Sequence, residues 1–215
     1  MAALTLGQMR ERVRRVLRDK NGKFITDPMI DDWLNEAQLE IAVKTLCIQE
    51  EATGTVTTYQ LAVPSNYLSV ATMRLGSAVP YDTVEWVDNE VFNSWKDTAG
   101  TPDHTLGRIF ENNFEFYPTP TSGTAYTLRY ARVPTILDND ADAPEVMLSY
   151  QHNMVRYAQA QGKLMDGESG EAQAFDAMYR EGLPEGKGPE QNYKPGPMTV
   201  RWEAGPFDTS DARHL

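Results

Sequence analysis

The chain has 215 residues, a formal net charge of −11 and a single cysteine, and these properties exclude several classes of protein. The acidity argues against a general nucleic-acid-binding protein, because neutralising phosphates needs positive charge. One cysteine cannot form an intrachain disulfide or a cysteine-based metal cluster. No apolar run is long enough to span a membrane, and the first residues lack the apolar core of a signal peptide, so we expect a soluble protein made in the cytoplasm.

The first predicted helix begins after Thr5. Thr5 and Gln8 form a capping box, and apolar residues recur at helical spacing up to about Asp19. Residues 1–23 are basic, with seven Lys and Arg against two Asp and Glu. These positive side chains form either a solvated face that balances an acidic neighbour or a face that meets an acidic partner or DNA. In a homo-oligomer of acidic subunits the two interpretations merge, so three arginines are candidate inter-subunit contacts: Arg10, Arg14 and Arg18.

A second helix is predicted from Thr26 or Asp27 to about Leu46. Either of the first two residues can cap the helix, and Pro28 falls in the first turn, where its missing N–H leaves no hydrogen bond unmade. Apolar residues recur along this segment at helical spacing, which predicts a wide buried face.

Strand patterns fill the region after Gly54. β-Branched and aromatic residues alternate with other residues there, which is typical of strands, and Asp88 can cap a short helix among them. Glu111, Asn112 and Asn113 separate two short apolar runs and predict a hairpin turn, because asparagine tolerates left-handed dihedrals. The predicted strands cover residues 55–63, 68–75, 81–87, 106–110, 113–117 and 126–133.

Helical spacing returns in residues 144–181. Pro144 is predicted in the first turn of a helix that follows the acidic loop 138–142. Another helix is predicted from about residue 169 to 181, with Gly182 as its stop. The side chains predicted to face inward are Met147, Tyr150, Met154, Ala158, Gln161 and Met165 on the first of these helices, and Ala172, Phe175, Met178 and Tyr179 on the second.

Together these elements predict an α+β fold. Neither pair of helices can bury its apolar face alone, so we expect all four to pack as one bundle, with an antiparallel β lobe inserted between the two pairs. The predicted boundaries are residues 1–50 for the first half of the bundle, 51–143 for the β lobe, 144–183 for the second half and 184–215 for an extended C-terminal arm.

The C-terminal arm, residues 184–215, is interrupted by proline and glycine too often to form a helix. It carries three isolated aromatic side chains, Tyr193, Trp202 and Phe207. Large aromatic groups are unfavourable in water, so we expect them to dock in pockets on this subunit or on a neighbour. The arm therefore favours a part of an assembly over an enzyme.

Signatures of enzymes and metal sites are missing from the sequence. The acidic loop 138–142 imitates the start of a calcium-binding loop but lacks the required glycine and the final glutamate, so we interpret it as a helix-capping loop. The three histidines are not spaced as metal ligands. A small glycan hydrolase that depends on Glu111 and Glu115 remains an alternative. We predict no catalytic residue, metal ligand or cofactor.

Short motifs occur in a characteristic order along residues 4–183. They are Thr-Leu-x-x-Met-Arg from Thr5, DDWLNEA at 31–37, YQLAVP at 59–64, FYPTP at 116–120, Tyr130 and Pro134 before the acidic loop, and MLSYQH at 147–152. In this order they resemble the head-to-tail adaptor (connector) proteins of tailed bacteriophages, especially short-tailed ones.

The resemblance implies a structural virion protein in the neck between head and tail. Such adaptors form a ring, commonly of twelve copies, beneath the portal, and DNA passes through the ring without specific binding. Their C-terminal extension often reaches along the portal, and the β lobe faces the next tail component, a tube or nozzle. Carried onto this chain, the resemblance makes Tyr193, Trp202 and Phe207 candidate portal anchors, and it makes four residues candidate tail-side contacts: Trp86, His104, Asn112 and Asn113. Another neck or tail-completion protein of similar architecture remains an alternative.

Overall fold

The computed structural model describes residues 3–18, 24–77, 82–98 and 102–183. Within these ranges the protein has five α-helices and eight β-strands, which confirms the predicted α+β class. The helices are α1 (Leu6–Leu17), α2 (Asp27–Thr45), α3 (Asn89–Asp97), α4 (Leu148–Met165) and α5 (Ser169–Glu181). The strands are β1 (Gln49–Val56), β2 (Gln60–Ala62), β3 (Tyr67–Leu75), β4 (Asp82–Thr83), β5 (Glu85–Trp86), β6 (Leu106–Phe110), β7 (Asn113–Tyr117) and β8 (Thr124–Arg132).

Both N-terminal helices begin where their caps predict. The hydroxyl of Thr5 accepts a hydrogen bond from the Gln8 amide, and the Gln8 side chain accepts one from the Thr5 amide, so the capping box is complete. α2 follows Thr26 and carries Pro28 in its first turn. Local sequence signals therefore determine where these two helices start.

Helices α1, α2, α4 and α5 contribute to one hydrophobic cluster. Full burial of an apolar side chain contributes about 1.5–3 kcal/mol, so this cluster is a major source of stability. Its deeply buried members include Leu6, Met9 and Val13 from α1, Ile30, Leu34 and Ile41 from α2, Met154 and Ala158 from α4, and Tyr179 from α5.

α1 and α4 run parallel to each other. The Leu4 amide, just before α1, donates a hydrogen bond of 2.8 Å to the side chain of Gln151 near the start of α4. Two turns further on, the Gln159 side chain donates to the carbonyl of Arg12 (3.3 Å). The two helices therefore advance together from one end of the cluster.

α2 runs in the opposite direction to α1. Arg10 in the middle of α1 pairs with Asp31, and Arg14, one turn later, pairs with Asp27 at the start of α2. The two helices are therefore antiparallel, and α2 ends near the beginning of α1.

α5 folds back along α4 after a short turn. The Asn153 side chain, in the first half of α4, donates to the carbonyl of Gly182 just beyond α5 (2.7 Å). The C-terminal ends of α2 and α5 therefore lie at the same end of the helices as the N-terminal ends of α1 and α4. β1 begins at Gln49, shortly after α2, so the first strand also starts at this end.

The strands form two four-stranded sheets that share a second hydrophobic cluster. The strand order is β1-β8-β3-β4 in sheet A and β2-β7-β6-β5 in sheet B. The ring centroid of Phe114 in sheet B lies 5.6 Å from that of Tyr67 in sheet A. α3 covers the other face of sheet B, where the Phe92 ring lies 6.4 Å from the Tyr117 ring. The buried members of the cluster are Val56, Met73, Leu75, Val84, Phe114, Phe116, Leu128 and Tyr130.

Two of the predicted strands are each divided between the sheets. The run 55–63 contains the end of β1 and all of β2, and the run 81–87 contains β4 and β5. At Val84 the amide donates to a carbonyl of β3, whereas the next amide, of Glu85, donates to the carbonyl of Thr105 just before β6. β5 pairs with β6 in parallel, so the prediction of a wholly antiparallel lobe is wrong at this short pair.

α4 begins at Leu148, four residues later than the start predicted at Pro144. Glu145 is held outside the helix, because its carboxylate accepts two hydrogen bonds from Arg132 and its amide donates to the Gln38 side chain (3.1 Å). These long-range contacts keep the residues around Glu145 non-helical, so the helix starts only after them.

The predicted inward faces of α4 and α5 are partly wrong. The core-facing side of α4 includes several polar residues, which an apolar pattern cannot reveal. The helical spacing of apolar residues therefore assigned three methionines to the core, although they are 46–58 % exposed. Of the predicted set, Met154, Ala158, Ala172 and Tyr179 are buried, Tyr150, Gln161 and Phe175 are half-buried, and Met147, Met165 and Met178 are exposed.

The acidic loop 138–142 caps α1 instead of α4. The amides of Leu6 and Gly7 donate to the carbonyls of Asp142 (2.8 Å) and Asp140 (3.1 Å), which satisfies two N–H groups that a helix start leaves unpaired. Hydrogen bonds from two backbone amides of the loop hold the pKa of the Asp142 carboxyl below its ordinary value. The prediction of a helix-capping loop is correct in kind but names the wrong helix.

Gly107 on β6 is expected to tolerate no side chain. A Cβ there would lie 2.5 Å from Val84 Cγ1 and 3.0 Å from the Trp86 ring, so Gly107→Ala forces packed groups apart. We expect a loss of about 1–3 kcal/mol in the free energy of unfolding, measured by chemical denaturation with tryptophan fluorescence. The control is Gly170→Ala in the first turn of α5, where a Cβ meets nothing within 4 Å. Equal losses in the two variants would contradict the packing argument.

Candidate assembly surfaces

The basic side chains of α1 divide into a paired group and an exposed group. Arg10 forms a bidentate ion pair with Asp31, with Nε–Oδ1 and Nη2–Oδ2 distances of 2.5 and 2.6 Å, and it also contacts Asp140. Only 16 % of the Arg10 side chain is exposed. The hydrogen bonds to Asp31 outweigh burial and raise the pKa of the Arg10 guanidinium. Arg10 therefore fastens α1 to α2 and to the acidic loop.

Arg14 also pairs within the chain, whereas Arg18 is exposed. Arg14 Nη2 lies 2.5 Å from Asp27 Oδ1, and its Nη1 donates to the carbonyl of Ile25 (2.9 Å). Arg18 follows α1 in a left-handed conformation (φ 57°) with an exposed side chain. That these arginines form inter-subunit contacts remains a prediction, and Arg18 is the one of the three that faces solvent.

The hairpin between β6 and β7 forms an exposed tip. Glu111 and Asn112 adopt left-handed dihedrals (φ 47° and 61°), which confirms the predicted turn, and Asn113 begins β7. Ile109 and Phe110 at the end of β6 are 44 % and 41 % exposed. Because successive strand residues point to opposite faces, the tip offers apolar contacts on both sides of sheet B.

Trp86 and His104 lie at the other end of β6 from this tip. Trp86 pairs with Gly107, and its ring centroid lies 5.2 Å from that of Phe114 in the core. His104 is exposed and contacts the carboxylate of Glu85. The structure thus separates the predicted tail-side residues into two groups, with only two of them at the tip: Asn112 and Asn113.

A buried ion pair joins β6 and β7 beneath α3. Arg108 Nη2 lies 2.6 Å from Glu115 Oε2, and the two side chains are 11 % and 9 % exposed. Arg108 also stacks on the Phe92 ring and donates to the Asn93 side chain of α3 (2.9 Å). Burial raises the pKa of Glu115, but hydrogen bonds from Gln60 and Arg108 outweigh burial and lower this pKa below its ordinary value.

This ion pair does not suit glycoside hydrolysis. The general acid of a glycosidase needs a raised pKa, whereas the pKa of Glu115 is lowered. Both carboxylate oxygens of Glu115 are engaged, one by Gln60 and one by Arg108. Glu111 lies in the turn of the tip. The geometry therefore gives the hydrolase alternative no support.

An apolar patch lies on the outer side of α2. Leu39 and Val43 are one helical turn apart and are 41 % and 47 % exposed. Ile136 is 74 % exposed and precedes Leu137, whose amide donates to the side chain of Asn35 on α2 (2.8 Å). Exposed apolar groups that collect on one face are typical of protein contact sites. The α2 patch, consisting of Leu39, Val43 and Ile136, is therefore a candidate lateral surface.

A groove of about 470 Å³ lies between the starts of α1 and α4. Arg12 and His152 face each other on its wall, with Arg12 Nη1 3.2 Å from His152 Nδ1. Gly182, near the end of the described chain, is bound by Asn153, which directly follows His152 in α4.

In the part of the chain that the structure describes, no group of three or more His, Cys, Asp or Glu residues could hold a metal ion. No helix in that part is both long and apolar enough to cross a bilayer. The three aromatic residues predicted as portal anchors, Tyr193, Trp202 and Phe207, lie outside the described ranges.

Sequence analysis missed the exposed apolar residues of the tip and the α2 patch. Periodicity assigns apolar residues to buried faces, so it cannot show which of them stay in water. For Ile109 and Phe110 one signal was available, since both directly precede the predicted turn and strand ends at a turn are commonly exposed. Leu39 and Val43 offered no such signal.

Comparison with known proteins adds evidence that the geometry alone lacks. A family model described as SU10 adaptor protein matches residues 4–201. The match spans the five helices, both sheets and the first part of the arm. No curated protein matches the chain.

Proposed function

The chain belongs to the SU10 adaptor protein family, and from this premise we propose that it joins the portal of a bacteriophage head to the tail. The observation that carries the proposal is the family match over residues 4–201, which includes the beginning of the arm. The proposed location is the neck of the virion, and the proposed partners are the portal protein and a tail tube or nozzle protein.

The proposed architecture is a four-helix bundle with an inserted β lobe and a C-terminal arm. The shared hydrophobic cluster of α1, α2, α4 and α5 supports the bundle, and the separate cluster between the two sheets supports the lobe. We place the boundaries at residues 1–50 and 144–183 for the bundle, 51–143 for the lobe and 184–215 for the arm.

Copies of this chain would assemble into a ring, with the twelve copies that the resemblance to phage adaptors implies. The α2 patch and the exposed Arg18 are the features of the described helices that best suit contacts between neighbouring copies, since one is apolar and the other is positive on an acidic protein. The tip of the β6–β7 hairpin suits the tail component, and the aromatic residues of the arm suit the portal: Tyr193, Trp202 and Phe207.

The net charge suits a channel through which DNA moves. Each copy carries −11, and a repeated negative wall repels phosphate groups at short range. DNA would then slide through the ring without adhering to it. The same charge makes the copies repel one another, so apolar contacts between subunits have to offset the repulsion when the ring closes.

Mixing the purified chain with portal rings tests the proposal. We expect a complex that native mass spectrometry resolves as a portal ring plus a ring of this chain, and that negative-stain images show as extra density on one face of the portal. Portal rings alone and this chain alone are the controls, and a monomeric chain before mixing agrees with the proposal. No association at micromolar concentration would contradict it.

A further inference from the structure

β1 is an eight-residue strand at the edge of sheet A, and among the described residues it pairs only with β8. The carbonyls of Ile48 and Val56 accept hydrogen bonds from the β8 side. Because backbone groups of an antiparallel strand alternate in direction, the amides of four residues face the open edge. These are Gln49, Glu51, Thr53 and Thr55. An open edge of this length is a template for another strand.

The core-facing side of β1 is apolar next to this edge. Ala52 packs against the cluster between the sheets. The ring of Tyr126 on β8 covers Gly54, where a Cβ would lie 2.9 Å from it. A strand added here would place its apolar side chains next to Ala52 and the Tyr126 ring, as cross-strand neighbours.

The C-terminal arm contains one segment with the pattern of such a strand. In residues 198–204, MTVRWEA, apolar residues alternate with polar residues, and prolines lie just outside the segment at 197 and 206. Val200 and Trp202 share one face, and Arg201 lies on the other. In a strand beside β1, the face of Val200 and Trp202 would meet Ala52 and the Tyr126 ring, and Arg201 would lie on the opposite face of the sheet, with Glu51.

The arm also leaves the body at a suitable place. α5 ends at the end of the helices where β1 begins, because α2 and α5 both run toward it. Fourteen residues, 184–197, connect Leu183 to the segment, and they can span up to roughly 50 Å when extended. Attachment to the same chain also gives the segment a millimolar effective concentration at this edge.

We infer that, in the free protein, residues 198–204 pair with the open edge of β1 of the same chain and extend sheet A to five strands. This contact shields the edge from other chains before assembly. It also holds Trp202, so engagement of Trp202 by a partner requires release of the strand. The inference does not depend on attachment to a portal, and its test uses the isolated protein.

Site-resolved hydrogen exchange of the full chain tests the inference. Proline removes an amide, and a strand tolerates it only where the N–H faces solvent. The amides of residues 200 and 201 point to opposite sides of a strand, so either Val200→Pro or Arg201→Pro removes an amide that faces β1. We expect the amides of Gln49, Glu51 and Thr53 to exchange at least about tenfold faster in one or both variants than in the unmodified chain. The matched control is Gln191→Pro in the connecting residues, which leaves their exchange unchanged.

Three outcomes overturn the inference. Fast exchange of the edge amides in the unmodified chain shows that no strand covers them. Slow exchange in all three proline variants shows that the edge is covered by something other than residues 198–204. Protection that disappears on tenfold dilution of the protein shows that the strand comes from a second copy instead of the same chain. Because no portal is present, each outcome leaves the proposed function untouched.

Discussion

Removal of residues 184–215 is expected to leave the body folded and to abolish attachment to portal rings. All the described members of both hydrophobic clusters lie at or before Leu183, so the truncated chain keeps these core residues. Its Tm should fall by no more than about 5 °C, which corresponds to roughly 1–2.5 kcal/mol for a chain of this size. The measurements are thermal unfolding by circular dichroism and co-sedimentation with portal rings.

Point variants in the arm separate the role of the aromatic residues from that of chain length. Replacing Tyr193, Trp202 and Phe207 together by alanine should weaken portal binding at least about thirtyfold, since buried aromatic anchors often contribute 2 kcal/mol or more each. The control replaces Gln191, Asn192 and Thr209 by alanine and should bind normally. If the truncated chain still attaches, the helices or sheets form the docking surface and the assignment of the arm is wrong.

Arg108→Met is expected to lower the free energy of unfolding by about 3–5 kcal/mol, because it leaves the buried carboxylate of Glu115 without its cation. Methionine keeps an apolar side chain against the Phe92 ring, so the loss reports mainly the missing charge. The matched control is Arg129→Met, which removes an exposed ion pair with Glu51 and should cost less than about 1 kcal/mol. Urea denaturation at pH 7 measures both.

The pH dependence and a double variant identify the cause of this loss. The folded state lowers the pKa of Glu115, so the pair stabilises the protein above the ordinary pKa of glutamate, and this contribution disappears as the pH falls through the lowered pKa. The difference between the unmodified chain and Arg108→Met should therefore narrow in acid. Arg108→Met combined with Glu115→Leu should recover most of the loss at pH 7. A loss that stays the same at pH 4 and in the double variant would point to packing instead.

Features that depend on neighbouring residues could be predicted from the sequence. The capping box of Thr5 and Gln8 determines the start of α1, and Asp88 accepts a hydrogen bond from the Val91 amide at the start of α3 as predicted. Asn112 supports the left-handed turn between β6 and β7. The order of short motifs also identified the family that the later match confirmed.

Features that depend on distant residues could not be predicted from the sequence. The change of sheet at Val84 requires β3 on one side and β6 on the other, and neither is visible in the run 81–87. Glu145 is kept out of α4 by Arg132 and Gln38, which lie far away in sequence. Predicting the candidate surfaces has the same difficulty, because an exposed Leu39 or Ile109 has the same local pattern as a buried one.

The contact between the acidic loop and α1 has a consequence for synthesis on the ribosome. The amides of Leu6 and Gly7 are capped by the carbonyls of Asp142 and Asp140, and Leu4 is bound by Gln151 in α4. At about 5–20 residues per second, residue 142 is made roughly 7–27 s after Leu6. The two carbonyls that cap α1 therefore become available only after both sheets have been synthesised, so α1 waits for these contacts while the strands can already pair.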